Sequence, residues 1–256
     1  MGDYMNIRTD LVAEIKAEKQ PDISGVEVIE EQINDVNIST VKILDEKASE
    51  TLEKPIGSYC TISFPRLDFV CETCDIINAT VKALKAVIKA NIKQSLVVGL
   101  GNTDITPDAL GPIVADRVLA TRHLTDELKR DLGLDGLKSV STITPNVLGK
   151  TGIESYDLVS ATAKKIKPDI IIAVDALACR DPERLCRTIQ ISNTGIGARF
   201  QSICSAFTAC RKKFAGSHRK RGADSNNQTG QCNQPGILQG ECKACQRTGQ
   251  LHQGIV

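Results

Sequence analysis

Residues 95–111, S-L-V-V-G-L-G-N-T-D-I-T-P-D-A-L-G, constrain the fold more than any other stretch of the chain. Leu96, Val97 and Val98 form an apolar run without polar alternation, the pattern of a strand buried on both faces of a parallel sheet. Gly99 and Gly101 end it. Thr106 is expected to cap a helix with Pro107 in its first turn, which would set Asp108 near the positive end of the helix dipole. A carboxylate is then aimed from the C-terminal edge of a central strand, where open α/β sheets carry their sites. Residues 169–179, D-I-I-I-A-V-D-A-L-A-C, repeat the arrangement and bring Asp175 to a strand end. If the two strands are neighbours, Asp108 and Asp175 face one cleft.

The remaining periodicities fit an α/β domain. Residues 75–93 read as a helix with Ile77, Val81, Leu84, Ile88 and Ile92 toward the core and Lys82, Lys85, Lys89 and Lys93 toward solvent. Helices are also expected over residues 107–124 and 154–166, and strands over 140–144 and 187–192. Strand and helix alternating at this spacing imply right-handed crossovers and a mainly parallel sheet. Before it, residues 25–46 and 57–64 alternate as three half-buried strands, a small antiparallel subsheet at the N-terminal side. Residues 1–20 read as a leader with a short helix, residues 21–198 as the α/β domain, and residues 199–256 as a separate tail.

That tail differs chemically from the body. From Arg199 onward there are nine Lys/Arg and two Asp/Glu, against 23 and 29 in the preceding 198 residues. It holds eight Gln, few aliphatics and no sustained period, so disorder is expected there. Five of the ten cysteines, Cys204, Cys210, Cys232, Cys242 and Cys245, also lie in it. The N-terminus shows neither a secretory signal nor a spanning segment, so the expectation is a cytoplasmic protein with thiols rather than disulfides.

Several stretches closely resemble the germination protease family of endospore-forming bacteria. They are I-R-T-D-L (7–11), P-I-G-S-Y-C-T-I (55–62), V-V-G-L-G-N-T-D-I-T-P-D-A-L-G-P (97–112) and T-R-H-L (121–124). T-G-I-E-S-Y-D (151–157), P-D-I-I-I-A-V-D-A-L-A-C-R (168–180) and T-I-Q-I-S-N-T-G-I (188–196) follow in the expected order. The resemblance implies a fold like that of the endopeptidases that mature hydrogenases, and an atypical aspartic endopeptidase whose catalytic carboxylates fall on Asp108 and Asp175. It further implies a tetrameric zymogen with a pro-segment removed near R-T-D-L, acting in the spore core on the small acid-soluble proteins that coat spore DNA. No cofactor is expected. The chain departs from the family pattern at Asn146, Cys179 and Asn193, none of them a proposed carboxylate. After residue 197 the resemblance stops, and a truncation or a change of reading frame is the expectation. An inactive remnant of the protease is therefore an alternative reading.

Two carboxyls in one site cannot both ionise cheaply, so the pair can serve as base and acid together. Asp108 is expected to be the ionised, water-activating member and Asp175 the protonated one, with the reverse assignment left open. The bland reading makes Asp108 a helix-start residue and Asp175 a strand-end cap. A second alternative is a metal-dependent maturation-type peptidase, for which His123, the one histidine before the tail, is a candidate ligand; its expected place is the last turn of a helix, as a cation facing the dipole. Glu154 is a weaker candidate for the cleft. The glycines of G-L-G-N lack the later glycine of a dinucleotide site and read as a tight turn beneath the site. Cys71 and Cys74 lack a second pair, and Cys232, Cys242, Cys245 and His252 form a weak zinc pattern in the tail. The basic clusters at 211–213 and 218–221 read as nonspecific charge without a nucleic-acid platform.

Overall fold

The computed structural model describes residues 9–19, 23–65, 73–88 and 91–195, together with the backbone of 205–211. The chain divides into two units, residues 1–213 and 214–256, the second lying wholly outside the described residues. In chain order the elements are α1 (Val12–Lys19), β1 (Val26–Ile33), β2 (Val36–Ile43), α2 (Glu46–Leu52), β3 (Gly57–Ser63), α3 (Thr73–Val87) and β4 (Gln94–Gly99). These are followed by α4 (Leu110–Arg117), α5 (Asp126–Asp131), β5 (Ser139–Ile143), α6 (Leu148–Thr151), α7 (Ser155–Ile166), β6 (Ile170–Ala178), β7 (Thr188–Ser192) and β8 (Ser205–Arg211).

The strands join one sheet in the order β1-β2-β3-β7-β8-β6-β4-β5. The strands β5, β4 and β6 are parallel, as the strand and helix alternation requires, while β1, β2, β3 and β7 are antiparallel. The α/β reading, with an N-terminal antiparallel part beside a parallel sheet, is what the molecule shows. β8 runs between the two groups, parallel to β6 and antiparallel to β7. It falls in the segment 199–256 for which disorder was expected; the rest of that segment lies outside the described residues.

Helices cover both faces of each half. On the parallel side, Leu96 and Val98 of β4 and Ile171 and Ala173 of β6 pack with Val159 of α7. Val97, Val140 and Val174 turn to the other face, against Val114 and Val118 beside α4. Full burial of a Leu or Val contributes about 1.5–3 kcal/mol relative to exposure, which is why these strands carry no polar alternation. On the antiparallel side, α3 lies on Ile38, Cys60, Ile62 and Ile191, and Val12, Ala48 and Leu52 of α1 and α2 lie on Val41, Ile43 and Tyr59.

Three local expectations are corrected. The buried stripe of α3 is Ile76, Ala79 and Ala83, with Leu84 and Val87 beside it, while Ile77 is 40% exposed. Small alanines let the helix sit close to the strands, and the stripe is rotated by one residue from the bulky positions. The helix expected over 107–124 is shorter, because Thr106–Asp108 forms a separate 3-10 turn and α4 ends at Arg117. Finally, Thr9–Val12 belongs to the domain expected to begin at residue 21: Thr9, Leu11 and Val12 are buried.

Candidate active site

β4 reaches its end at Gly99, where it pairs with Val174 of β6, and the Leu100 N–H donates to the Val174 carbonyl at 2.8 Å. The chain then leaves the sheet through a closed loop. The Asn102 N–H donates to the Asp108 carbonyl at 3.0 Å, and buried Asn102 accepts the Asp104 N–H on Oδ1 at 3.0 Å. The Asp108 N–H in turn donates to the Ile105 carbonyl at 2.6 Å. A salt bridge from Lys150 to Asp104 ties the outer side of this loop to α6.

The glycines of the motif are explained by what surrounds them. Gly101 has φ +125°, in the region that favours glycine, and a Cβ there would stand 2.0 Å from the Asp108 carbonyl oxygen. At Gly111 a Cβ would stand 2.2 Å from the Leu100 carbonyl and 2.4 Å from that of Val174. The first turn of α4 therefore rests directly on the backbone just past the end of β4 and in the middle of β6. A side chain at either glycine would push the loop off the sheet.

Asp108 is half-buried in the 3-10 turn, directly before Ala109, the residue that precedes α4. Thr106 does not cap a helix: neither the turn nor α4 has a side-chain cap. Asp175, also half-buried, follows Val174 on β6 and accepts the Ala176 N–H on Oδ1 at 2.8 Å. The Thr106–Asp108 turn comes within 8 Å, Cα to Cα, of residues of β6. The strands bearing the two motifs are thus adjacent and both carboxylates are half-buried, but only Asp108 lies beyond a strand end: Asp175, expected at one, stands inside β6, which runs on to Ala178 beside β8.

The other candidates fall elsewhere. His123 is exposed, in a turn after α4 rather than in a helical last turn, so it completes no helix dipole. Glu154 is exposed at the residue preceding α7, with no cap hydrogen bond. Among the described residues no group of three or more His, Cys, Asp or Glu is placed to hold a metal ion. Cys71 and the tail set Cys232, Cys242, Cys245 and His252 lie outside the described residues, as do the basic clusters apart from the backbone of Arg211. Cys60, Cys74, Cys179 and Cys186 are free thiols, and burial pushes the Cys60 thiol upward, which suits a packing role.

What the sequence reading missed is a ring of carboxylates that serve the backbone. Asp169 accepts the Lys93 and Gln94 N–H groups on Oδ2 at 2.8 Å each, locking the starting ends of β6 and β4 together. The Gln94 amide, then that of Lys93, holds its carboxyl below the usual carboxylate range. Asp10 and Glu14 play a similar part at the opposite end of β6. The I-R-T-D-L motif was a signal for Asp10 alone and Glu14 had none, because a polar residue in a leader looks solvated.

The fold and site define a class: an α/β domain covered by helices on both faces, with one carboxylate just beyond the C-terminal end of a parallel strand and another on the strand beside it. The germination protease family profile matches residues 5–203. The chain is 43% identical over 198 residues to the germination protease of Caldanaerobacter subterraneus subsp. tengcongensis, covering 75% of this chain and 60% of that one. It is 41% identical over 199 residues to that of Clostridium tetani, covering 75% and 61%, and 43% identical over 206 residues to that of Priestia megaterium, covering 75% and 55%. This chain belongs to the germination protease family. It spans between 55% and 61% of the length of these relatives.

Proposed function

We propose that this chain carries the endopeptidase chemistry of its family, with Asp108 and Asp175 as a catalytic pair. The single observation that supports this most is the family match across residues 5–203, which contains both carboxylate motifs on adjoining parallel strands. In the reaction, the ionised Asp108 takes a proton from a water molecule as that water attacks the scissile carbonyl. Protonated Asp175 donates its proton to the carbonyl oxygen, giving a neutral tetrahedral intermediate. Collapse of the intermediate breaks the C–N bond, a proton passes to the leaving amine, and the pair returns to its starting state. Protons balance within the pair, and no cofactor enters any step.

The substrates are small acid-soluble spore proteins, degraded in the spore core when germination begins. The active form is a homotetramer released from a zymogen by removal of an N-terminal pro-segment. The relatives' name supports proteolysis in germination; the substrate, the tetramer and the zymogen rest on the motif resemblance alone. No helix among the described residues is long and apolar enough to cross a membrane.

The test is incubation of the purified chain with a small acid-soluble spore protein, with and without chelator. Chelator-resistant cleavage is expected. Asp108→Asn and Asp175→Asn should each lower kcat by about 10²–10⁴-fold while the fold is kept, since each removes a general acid or base. Full activity in either variant removes that residue from the pair. Chelator-sensitive cleavage would favour the metal-dependent reading, and no cleavage by the unsubstituted chain the inactive one.

A further inference from the structure

The lane beside β6 changes hands at the candidate site. In a parallel ladder, alternate residues of a strand direct both backbone groups to the same neighbour. Val174 faces β4, as its carbonyl bond from Leu100 shows, so Ala176 and Ala178 face the same side. β4 has by then turned away at Gly101 to form the loop carrying Asp108.

The N-terminal arm takes its place. The Asp10 N–H donates to the Ala178 carbonyl at 2.9 Å, and the Ala178 N–H donates to Asp10 Oδ2 at 3.1 Å. Glu14, four residues on, accepts the Arg180 N–H on Oε2 at 2.9 Å and the Asp181 N–H on Oε1 at 3.2 Å. Its side chain is only 8% exposed, with Arg184 Nε 3.5 Å from Oε1. Fully buried Leu11 packs with Leu177 and Cys179, and the Val12 N–H donates to Gln190 Oε1 at 3.0 Å. On this side of β6, Asp175 thus stands beside a short window, with β4 gripping the strand just before it and the arm three residues later; on the other side β8 pairs with β6 through Asp175.

We propose that Asp10 and Glu14 are positioning residues: the arm continues the lane vacated by β4 and fixes the direction of β6 through Asp175. The proposal rests on the catalytic role given to Asp175 above. Two features favour a specific brace over general packing. Both carboxylates are spent on backbone amides of one four-residue stretch, 178–181, bonds stronger than neutral ones. The strand in question also bears the proposed acid, so loosening it changes the orientation of a reacting group, and orientation is what catalysis is most sensitive to.

The test uses the full chain and the double variant Asp10→Ala/Glu14→Ala, with Asp10→Asn and Glu14→Gln as milder single variants that each keep one acceptor oxygen. Amide exchange at Ala178, Arg180 and Asp181 should accelerate by about tenfold or more in the double variant, with α7 and β2 unchanged. Its kcat should fall by about tenfold at unchanged KM, and Asp10→Asn should recover most of the loss. Unchanged exchange overturns the brace; faster exchange with unchanged kcat overturns its link to Asp175. Should the unsubstituted chain not cleave at all, the proposed function fails separately, and the carboxyl titration of Asp175 followed by ¹³C NMR decides instead. A midpoint that moves in the double variant supports positioning, and one that stays overturns it. If the double variant does not fold, the same exchange and titration measurements on Glu14→Gln carry the decision.

Discussion

Asp169 shows how one side chain fixes the register of two strands and leaves a signature in the pH dependence. Its Oδ2 accepts two amides at the start of β4, while its own N–H donates to the Gln94 carbonyl at 2.8 Å. Charge on the oxygen strengthens both bonds, so the folded state holds the ionised form more tightly than the unfolded chain does. A carboxyl whose folded value is lowered contributes stability that is present above its unfolded value, about 3.9, and is lost as pH falls through the folded one. Asp169→Asn keeps an acceptor oxygen but not the charge. Its expected effect is a lower stability at neutral pH and a shallower loss below about pH 4, read from urea midpoints across a pH series. Parallel acid limbs in the two proteins would show that the carboxylate contributes no such linkage.

At the scale of elements, the decisive contact is the seating of α4 on β4 and β6. Gly111 allows it, since the three atoms nearest its absent Cβ, the carbonyl oxygens of Leu100 and Val174 and the Leu100 nitrogen, are all backbone and cannot rotate away. Gly111→Ala should destabilise the domain by about 3 kcal/mol or more, at the upper end of overpacking costs, and should displace the Asp108 loop. Gly149 in α6 is the matched control: it has nothing within 4 Å, so alanine there should be neutral or stabilising by about 0.4–1 kcal/mol. Urea denaturation of both variants tests the contrast, and equal effects would refute it. These elements differ in how legible they are. β4 and the first part of β6 could be read because burial on both faces leaves the runs 96–98 and 170–174 without polar interruption. The stripe of α3 could not, because Ala79 and Ala83 carry it and alanine gives no strong apolar signal against neighbouring Ile77 and Val81. Asp108 was legible as a carboxylate beyond a strand end, Asp175 only as a carboxylate on the neighbouring strand, because pairing with β8 carries β6 three residues past it; the brace from Asp10 and Glu14 joins residues more than 160 positions apart and leaves no local pattern.

For the whole molecule, the question is what makes one domain of two differently built halves. β1, β2, β3 and β7 form an antiparallel group with its own core around α3, and β6, β4 and β5 a parallel group with its core around α7. Two connections join them. One is the N-terminal arm, whose α1 packs against the antiparallel group through Val12 while Asp10 and Glu14 hold β6. The other is β8, which pairs with β6 over Ile172–Ala178 and with β7 over Ile189–Ser192. β8 begins just beyond residue 203, where the family match ends, so this connection is made by residues outside the matched region. Proline in a central strand removes a ladder hydrogen bond and is confined in sheets to edges, strand starts and bulges. Thr208→Pro falls in the middle of β8, opposite Asp175 on one side and Gln190 on the other. If β8 couples the halves, the variant should unfold in two steps, the parallel and antiparallel groups losing amide protection at different urea concentrations while the arm alone links them. A single transition at the unsubstituted midpoint would mean that the halves are joined by the arm and not by β8.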